Sequence, residues 1–207
     1  ARNGAITSFD VPGAGSGPGQ GTFVATVSGI TPAGKITGYY FDGGTAAHGH
    51  VRAPNGTITT FDAPGAGTGP GQGTYVGSIN PKGEVTCSYL DAGNVWHGFL
   101  RAPDGTIITF DAPGAGTGPG QGTGAANINP AGAITGNYFD GSGVAHAFVR
   151  APGGAFTTFD APGAGTGPGH GVAVARTTRK VNSAIVHAMS QAAIRRRRTR
   201  GASRRGW

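Results

Sequence analysis

The chain has 207 residues, enough for one or two domains, and it is rich in glycine and proline, with 42 and 14 residues. Its single cysteine, Cys87, excludes a disulfide framework, and no stretch approaches the ~18 apolar residues of a membrane-spanning helix. The formal net charge is +7, but residues 1–170 carry −3 and residues 171–207 carry +10, so the basic character belongs to the tail.

A segment that begins Phe-Asp recurs four times and divides the chain into repeats. It starts at Phe9, Phe61, Phe110 and Phe159, at spacings of 52, 49 and 49 residues, and reads Phe-Asp-Ala-Pro-Gly-Ala-Gly in the last three copies. Self-similarity at about this period is typical of propellers and solenoids. It predicts tandem β repeats over 1–175: one strand within 1–10, units at about 21–61, 73–110 and 122–159, and a further blade from 171.

Each unit contains four short runs with β character, separated by turn signals. In the second unit the runs are Thr74–Asn80, Glu84–Leu90, Val95–Arg101 and Thr106–Phe110. The short connections between them predict an antiparallel meander. We therefore expect an all-β, β-propeller-like array of about four four-stranded antiparallel blades, with an irregular basic C-terminal tail. A solenoid and a poorly ordered glycine-rich array are the alternatives.

The order of the strands along the chain favours a closed ring. The strand within 1–10 is of the fourth type in a unit, and it would complete a blade whose other three strands come from 171–207. Because four blades are few for a propeller, a longer parent chain or self-association that completes the ring stays open. We interpret the start at Ala1 as that of a processed chain or an excised fragment.

The tail from 176 to 207 departs from the repeat. Where a turn of the type Asn-Pro-Ala-Gly is due, the chain reads Thr-Thr-Arg-Lys, and an arginine run follows at Arg195, Arg196, Arg197 and Arg198. A reading-frame change, a polyanion-binding arm and a divergent last blade are the three interpretations. Clustered arginines bind phosphates without sequence preference, so any contact with nucleic acid is expected to be nonspecific and confined to this tail.

The third unit carries a family resemblance. Ile128-Asn129-Pro130-Ala131-Gly132, then His146-Ala147-Phe148 and the Phe-Asp-Ala-Pro-Gly-Ala segment, resemble the HAF-type extracellular repeat family. The second unit has His97-Gly98-Phe99, and the first departs further with His48-Gly49-His50. The resemblance covers roughly residues 1–170. It implies an exported, extracellular or periplasmic protein of bacterial type with a propeller-like fold, and it brings no catalytic residues.

The predicted topology gathers polar side chains at one rim. The second-to-third strand turns, the starts of the third strands and the long linkers all meet there, and they place ten candidate ligand-binding residues together: Asp42, Asp91, Asp140, His48, His97, His146, Gln20, Gln72, Gln121 and His170. Such a rim could hold a sugar, a peptide or calcium. The alternative is structural, because residues repeated in every unit often serve to build it.

Catalysis is not expected, because the units are nearly interchangeable and an active site needs distinct residues in one place. A hydrolase or lyase would require Glu84, Cys87 and His97 to meet around one cleft. The sequence therefore predicts a non-catalytic exported scaffold whose rim binds a glycan or another extracellular polymer, without a cofactor unless calcium binds. A purely structural surface repeat is the alternative.

Overall fold

A computed structural model describes residues 6–25 and 28–171, and this part of the chain is all β. It contains twelve strands and no helix, and thus no helix with the length and apolar character needed to cross a membrane. The chain divides into two units, Ala1–Ala175 and Arg176–Trp207. The second unit lies outside the described residues, and so do the arginine run at 195–198 and the strands expected after Gly171.

The twelve strands fall into three sets of four. The first set is β1 (Gly21–Val24), β2 (Ile36–Phe41), β3 (Ala47–Arg52) and β4 (Ile58–Phe61). The second is β5 (Gly73–Ile79), β6 (Val85–Leu90), β7 (Trp96–Arg101) and β8 (Ile107–Phe110). The third is β9 (Gly122–Ile128), β10 (Ile134–Phe139), β11 (Ala145–Arg150) and β12 (Phe156–Phe159).

Each set forms an antiparallel meander, as the short connections predict. In the second unit β5 pairs with β6, β6 with β7 and β7 with β8. The turn after β5 forms because the Asn80 side-chain oxygen accepts the backbone N–H groups of Lys82 and Glu84. Gly83 follows with a φ of 87°, a conformation that glycine adopts without steric cost.

Consecutive units meet where the third strand of one unit starts beside the first strand of the next. Ala47 pairs in parallel with Gly73, Trp96 with Gly122, and Ala145 with Gly171. At Gly73 φ is 108°, and a Cβ atom would lie 2.1 Å from the carbonyl oxygen of Ala47, so only glycine fits. These junctions connect the twelve strands into one mixed sheet that does not close.

At the two junctions between described units, an aromatic ring from the fourth strand of one unit packs against the next unit. Phe61 at the end of β4 packs edge-on against Phe99 of the second unit, and the Arg101 guanidinium lies 4.8 Å from the centre of the Phe61 ring. On its other side the ring lies flat on Gly49 of its own unit, where a Cβ atom would be 2.5 Å away. The pairs Arg52–Phe9 and Arg150–Phe110 repeat the cation–π contact.

Between these contacts lies a core that spans the units. β6 is buried along its whole length, and Val85, Cys87 and Phe99 are completely inaccessible to solvent. Burial raises the pKa of the Cys87 thiol well above its ordinary value, which makes the thiol unreactive. A second cluster forms around Ile134 and Phe148 of the third unit.

The strand predicted within 1–10, and the partner strands predicted for it after 171, fall largely outside the described residues. The repeat pattern predicts a strand within 1–10, but the described part of that range, residues 6–10, forms none. In the three complete units the fourth strand pairs with the third strand of its own unit. The described residues offer Phe9 no such partner strand, although its ring still packs on the first unit.

Candidate functional site

The carboxylates of Asp42, Asp91 and Asp140 build the turns between the second and third strands. The Asp140 side chain accepts the backbone N–H groups of Ser142 and Val144, each at 2.8 Å. The Val144 hydrogen bond is the largest influence on the Asp140 carboxyl, and with the bond from Ser142 it holds the pKa of Asp140 below its ordinary value. Asp42 accepts both matching bonds in its own turn, and Asp91 accepts the one from Val95. These aspartates therefore act first as turn caps.

Each histidine of the rim lies between two carboxylates. In the second unit the Nδ1 atom of His97 is 3.0 Å from an oxygen of Asp111, which follows β8, and its Nε2 atom is 3.5 Å from Asp91. The ring stacks on Tyr89 at a centroid distance of 4.8 Å. The other units repeat the group as Asp42–His48–Asp62 and Asp140–His146–Asp160.

In the third unit the two carboxylates favour a charged imidazole. Burial tends to lower the pKa of His146, but the hydrogen bonds and negative charges of Asp160 and Asp140 outweigh it and raise that pKa above 6.5. The outer aspartates stay open to solvent, since the side chains of Asp62, Asp111 and Asp160 are 51%, 52% and 49% exposed. Each unit thus presents a half-exposed carboxylate that its histidine holds in place.

The glutamines fasten the linkers to the turns. The side-chain oxygen of Gln72 accepts the Gly69 N–H, and its amide nitrogen donates to the Ala92 carbonyl and to the Asn94 side chain. Gln20 and Gln121 make the corresponding bonds to linker and turn. His170 occupies the same place in the last linker, where its ring lies against Gly165. The turn that it would face lies outside the described residues.

The ten predicted rim residues therefore lie at one end of the sheet, together with the aspartates that follow the fourth strands. We call this end the acidic rim, defined by its seven aspartates: Asp10, Asp42, Asp62, Asp91, Asp111, Asp140 and Asp160. The opposite end holds the five described arginines and lysines, with Glu84 and Asp104. The repeats are thus bipolar in charge, which their small net charge conceals.

The three residues that a hydrolase would need do not meet. Glu84 precedes β6 at the end of the sheet opposite the acidic rim, while His97 pairs with Tyr89 near the rim, about 17 Å away along the strand at ~3.4 Å per residue. Cys87 lies between them and is fully buried. Within the described residues, no group of three His, Cys, Asp or Glu side chains could hold a metal ion.

An aromatic cluster near the first-strand edge was not predicted. The Tyr75 ring lies 5.4 Å from Tyr39 of the first unit and 5.2 Å from Trp96 of its own unit, and Phe23 stacks on Tyr39. The third unit has small or polar residues at these places, with Gly124 for Phe23 and Tyr75. That difference between aligned repeats is the signal that could have revealed the cluster.

No protein-family model, no curated protein and no solved structure matches this chain. The resemblance to HAF-type repeats stays a prediction that rests on the residues quoted for it.

Proposed function

We propose that the chain is a non-catalytic, exported scaffold of propeller-like blades whose acidic rim binds an extracellular polymer, with glycans as the first class to test. The observation that carries the proposal is the threefold repetition of one exposed group, a half-exposed aspartate held by a histidine that a second aspartate orients. Identical groups at regular intervals can engage identical repeats of a polymer and gain avidity without a tight single contact.

The blade-like units support the propeller part of the proposal. Each is a four-stranded antiparallel meander, and each of the first two contacts the next through its third strand and through the ring at the end of its fourth strand. Four blades, with the last completed across the two ends of the chain or by a second copy, is the arrangement we propose.

Carboxylates accept hydrogen bonds from hydroxyl and ammonium groups, so a hydroxyl-rich sugar suits this rim. The test is retention of the full-length chain on a glycan array and on cell-wall polymers at physiological salt. Heparin is included as a competitor to remove contacts made by the basic tail. Parallel assays with added calcium and with a chelator show whether calcium contributes to retention.

The matched variant replaces the three outer carboxylates, as D62N, D111N and D160N in one chain. We expect retention to fall while the chain stays folded, and the control D104N at the opposite end should bind like the native chain. Absence of retention of the native chain on every polymer would refute the polymer-binding function.

A second candidate is a purely structural surface repeat. It is favoured by the use of the glutamine amides and turn carboxylates within the units. It predicts that the triple variant loses thermal stability and that the native chain binds no polymer. A hydrolase or lyase is not proposed, because Glu84, Cys87 and His97 lie apart.

A further inference from the structure

His50 occupies a core position where the other two units have phenylalanine. It pairs with Gly38 on β2 and Thr60 on β4, as Phe99 pairs with Cys87 and Thr109 in the second unit. Its side chain is fully buried, and neither ring nitrogen has a hydrogen-bond partner among the described residues. A buried polar group without a partner is costly, and a charged one costs far more.

The ring that covers His50 belongs to the N-terminal segment. Phe9 packs edge-on against the imidazole at a centroid distance of 6.1 Å, and the same phenyl ring carries the Arg52 guanidinium at 5.0 Å. Beyond Phe9, the Val11 N–H donates to the Thr22 hydroxyl and the Gly15 N–H donates to the Phe41 carbonyl. The segment Phe9–Gly15 is therefore fastened to the first unit at three places, and Phe9 packs on His50.

Among the described residues, no acid is placed to neutralise a charged His50. On its own strand the neighbours on the same face are His48 and Arg52; β2 contributes Tyr40, the residue after β4 is Asp62, and the segment contributes Asp10. β1 and β4 themselves contain no charged residue. The Asp62 carboxylate bonds His48, which is two residues farther along the strand. Burial lowers the pKa of His50 from its ordinary 6.5 to about 4.

We propose that His50 is an acid-sensitive latch: its protonation releases the segment Phe9–Gly15 from the first unit, while the corresponding segments Phe61–Gly67 and Phe110–Gly116 stay bound. The proton enters only when the imidazole reaches water, and this requires Phe9 to leave. A short segment can open locally because few contacts hold it, whereas the phenyl rings of Phe99 and Phe148 do not titrate.

The direction follows from the lowered pKa. The bound segment holds a neutral histidine, so its attachment is complete above pH 6.5 and weakens as the pH falls from 6.5 towards 4. From well above pH 6.5 to well below pH 4, the equilibrium constant for opening should rise by about 300-fold in all, since each unit of separation between the two pKa values is a factor of ten.

The test follows backbone amide signals by NMR as the pH is lowered. In the native full-length chain, the signals of Gly13 and Gly15 should move to unfolded positions, while those of Gly65 and Gly67 should not. In H50F, which installs the residue of the other units, all four should stay native. H50L serves as a second non-titrating variant in case the phenyl ring does not fit.

The reciprocal variant F99H should transfer the behaviour to Gly65 and Gly67. The latch is overturned if the Gly13 and Gly15 signals stay native in the native chain down to pH 4, or if they change equally in H50F and H50L. It is also overturned if all three segments open together in the native chain, because this would be global acid unfolding.

Discussion

We expect that only glycine at position 98 leaves enough room for the Phe110 ring to pack against this strand. A Cβ atom at this position would lie 2.4 Å from Cε2 and 2.9 Å from Cζ of Phe110, whereas carbon atoms in contact are about 3.5–4.0 Å apart. The ring must therefore move by about 1 Å in G98A. This displacement would disturb its contacts with Phe148 and with the Arg150 guanidinium, which lies 4.7 Å from its centre.

The third unit already carries such a change. It has alanine at the position of Gly98, and this residue, Ala147, pairs with Phe159. Overpacking of this kind costs about 1–3 kcal/mol, and the lower chain entropy of alanine in the unfolded state returns about 0.4–1 kcal/mol. The free energy of unfolding of G98A should therefore fall by about 1–2 kcal/mol.

Urea denaturation measures this loss, and G141A is the control. Gly141 has open space around its Cα, and the second unit already has alanine there, at Ala92, so G141A should change stability by less than about 0.5 kcal/mol. In a chain that already carries F110L, G98A should lower the free energy of unfolding by less, because the planar phenyl ring is no longer present. Equal stability of G98A and the native chain would refute the reasoning.

Three further outcomes are expected. Q72A should lower the free energy of unfolding by about 1–2 kcal/mol in urea, because it leaves Gly69 and Ala92 without their side-chain partner. H146Q should destabilise the chain more below pH 6.5 than in alkaline buffer, because the raised pKa means that the contribution of the native histidine is complete in acid and is lost as the pH rises through its folded value. Binding of the full-length chain to DNA or heparin should fall steeply with salt and disappear on truncation after residue 175, since the excess cations follow residue 170; gel shifts at low and physiological salt measure it.

The strand positions could be predicted from the sequence because turn residues delimit them. In the second unit, runs predicted at 84–90 and 95–101 correspond to β6 and β7 within one residue. The glycine- and proline-containing turns restrict the backbone locally, so no distant contact is needed to place them. The same turns identified the rim, because they determine at which end of the sheet each side chain lies.

The partners of the rim residues could not be predicted, because they depend on how strands pair. The histidine of each unit finds the aspartate 14 residues later only because the fourth strand lies beside the third. The Arg101–Phe61 contact joins two units and has no local signal. His50 stood out in the sequence as a departure from the repeat, but its burial became evident only from its neighbours.

A comparison of equivalent positions in the units distinguishes residues that folding requires from residues that binding would require. One position on the second strands differs in every unit, as Tyr39, Ser88 and Asn137, although it lies in the buried part of the sheet and Tyr39 and Ser88 contact the next unit there. If the units were alike only because they were duplicated recently, this position would be as similar among the units as every other position.

The linkers of the acidic rim have changed far less. Solvent-exposed side chains that do not fill the core recur in the linkers that follow the units, such as Thr68 and Thr117, or Pro70 and Pro119. Core packing imposes no requirement on an exposed threonine, and this side chain can donate a hydrogen bond. The retention of exposed residues where buried ones have varied favours a rim that contacts a ligand over one that only caps turns. Accordingly, T68A combined with T117A should reduce polymer retention in the same assay and leave the urea midpoint unchanged; a shifted midpoint with unchanged retention would assign these threonines to folding instead.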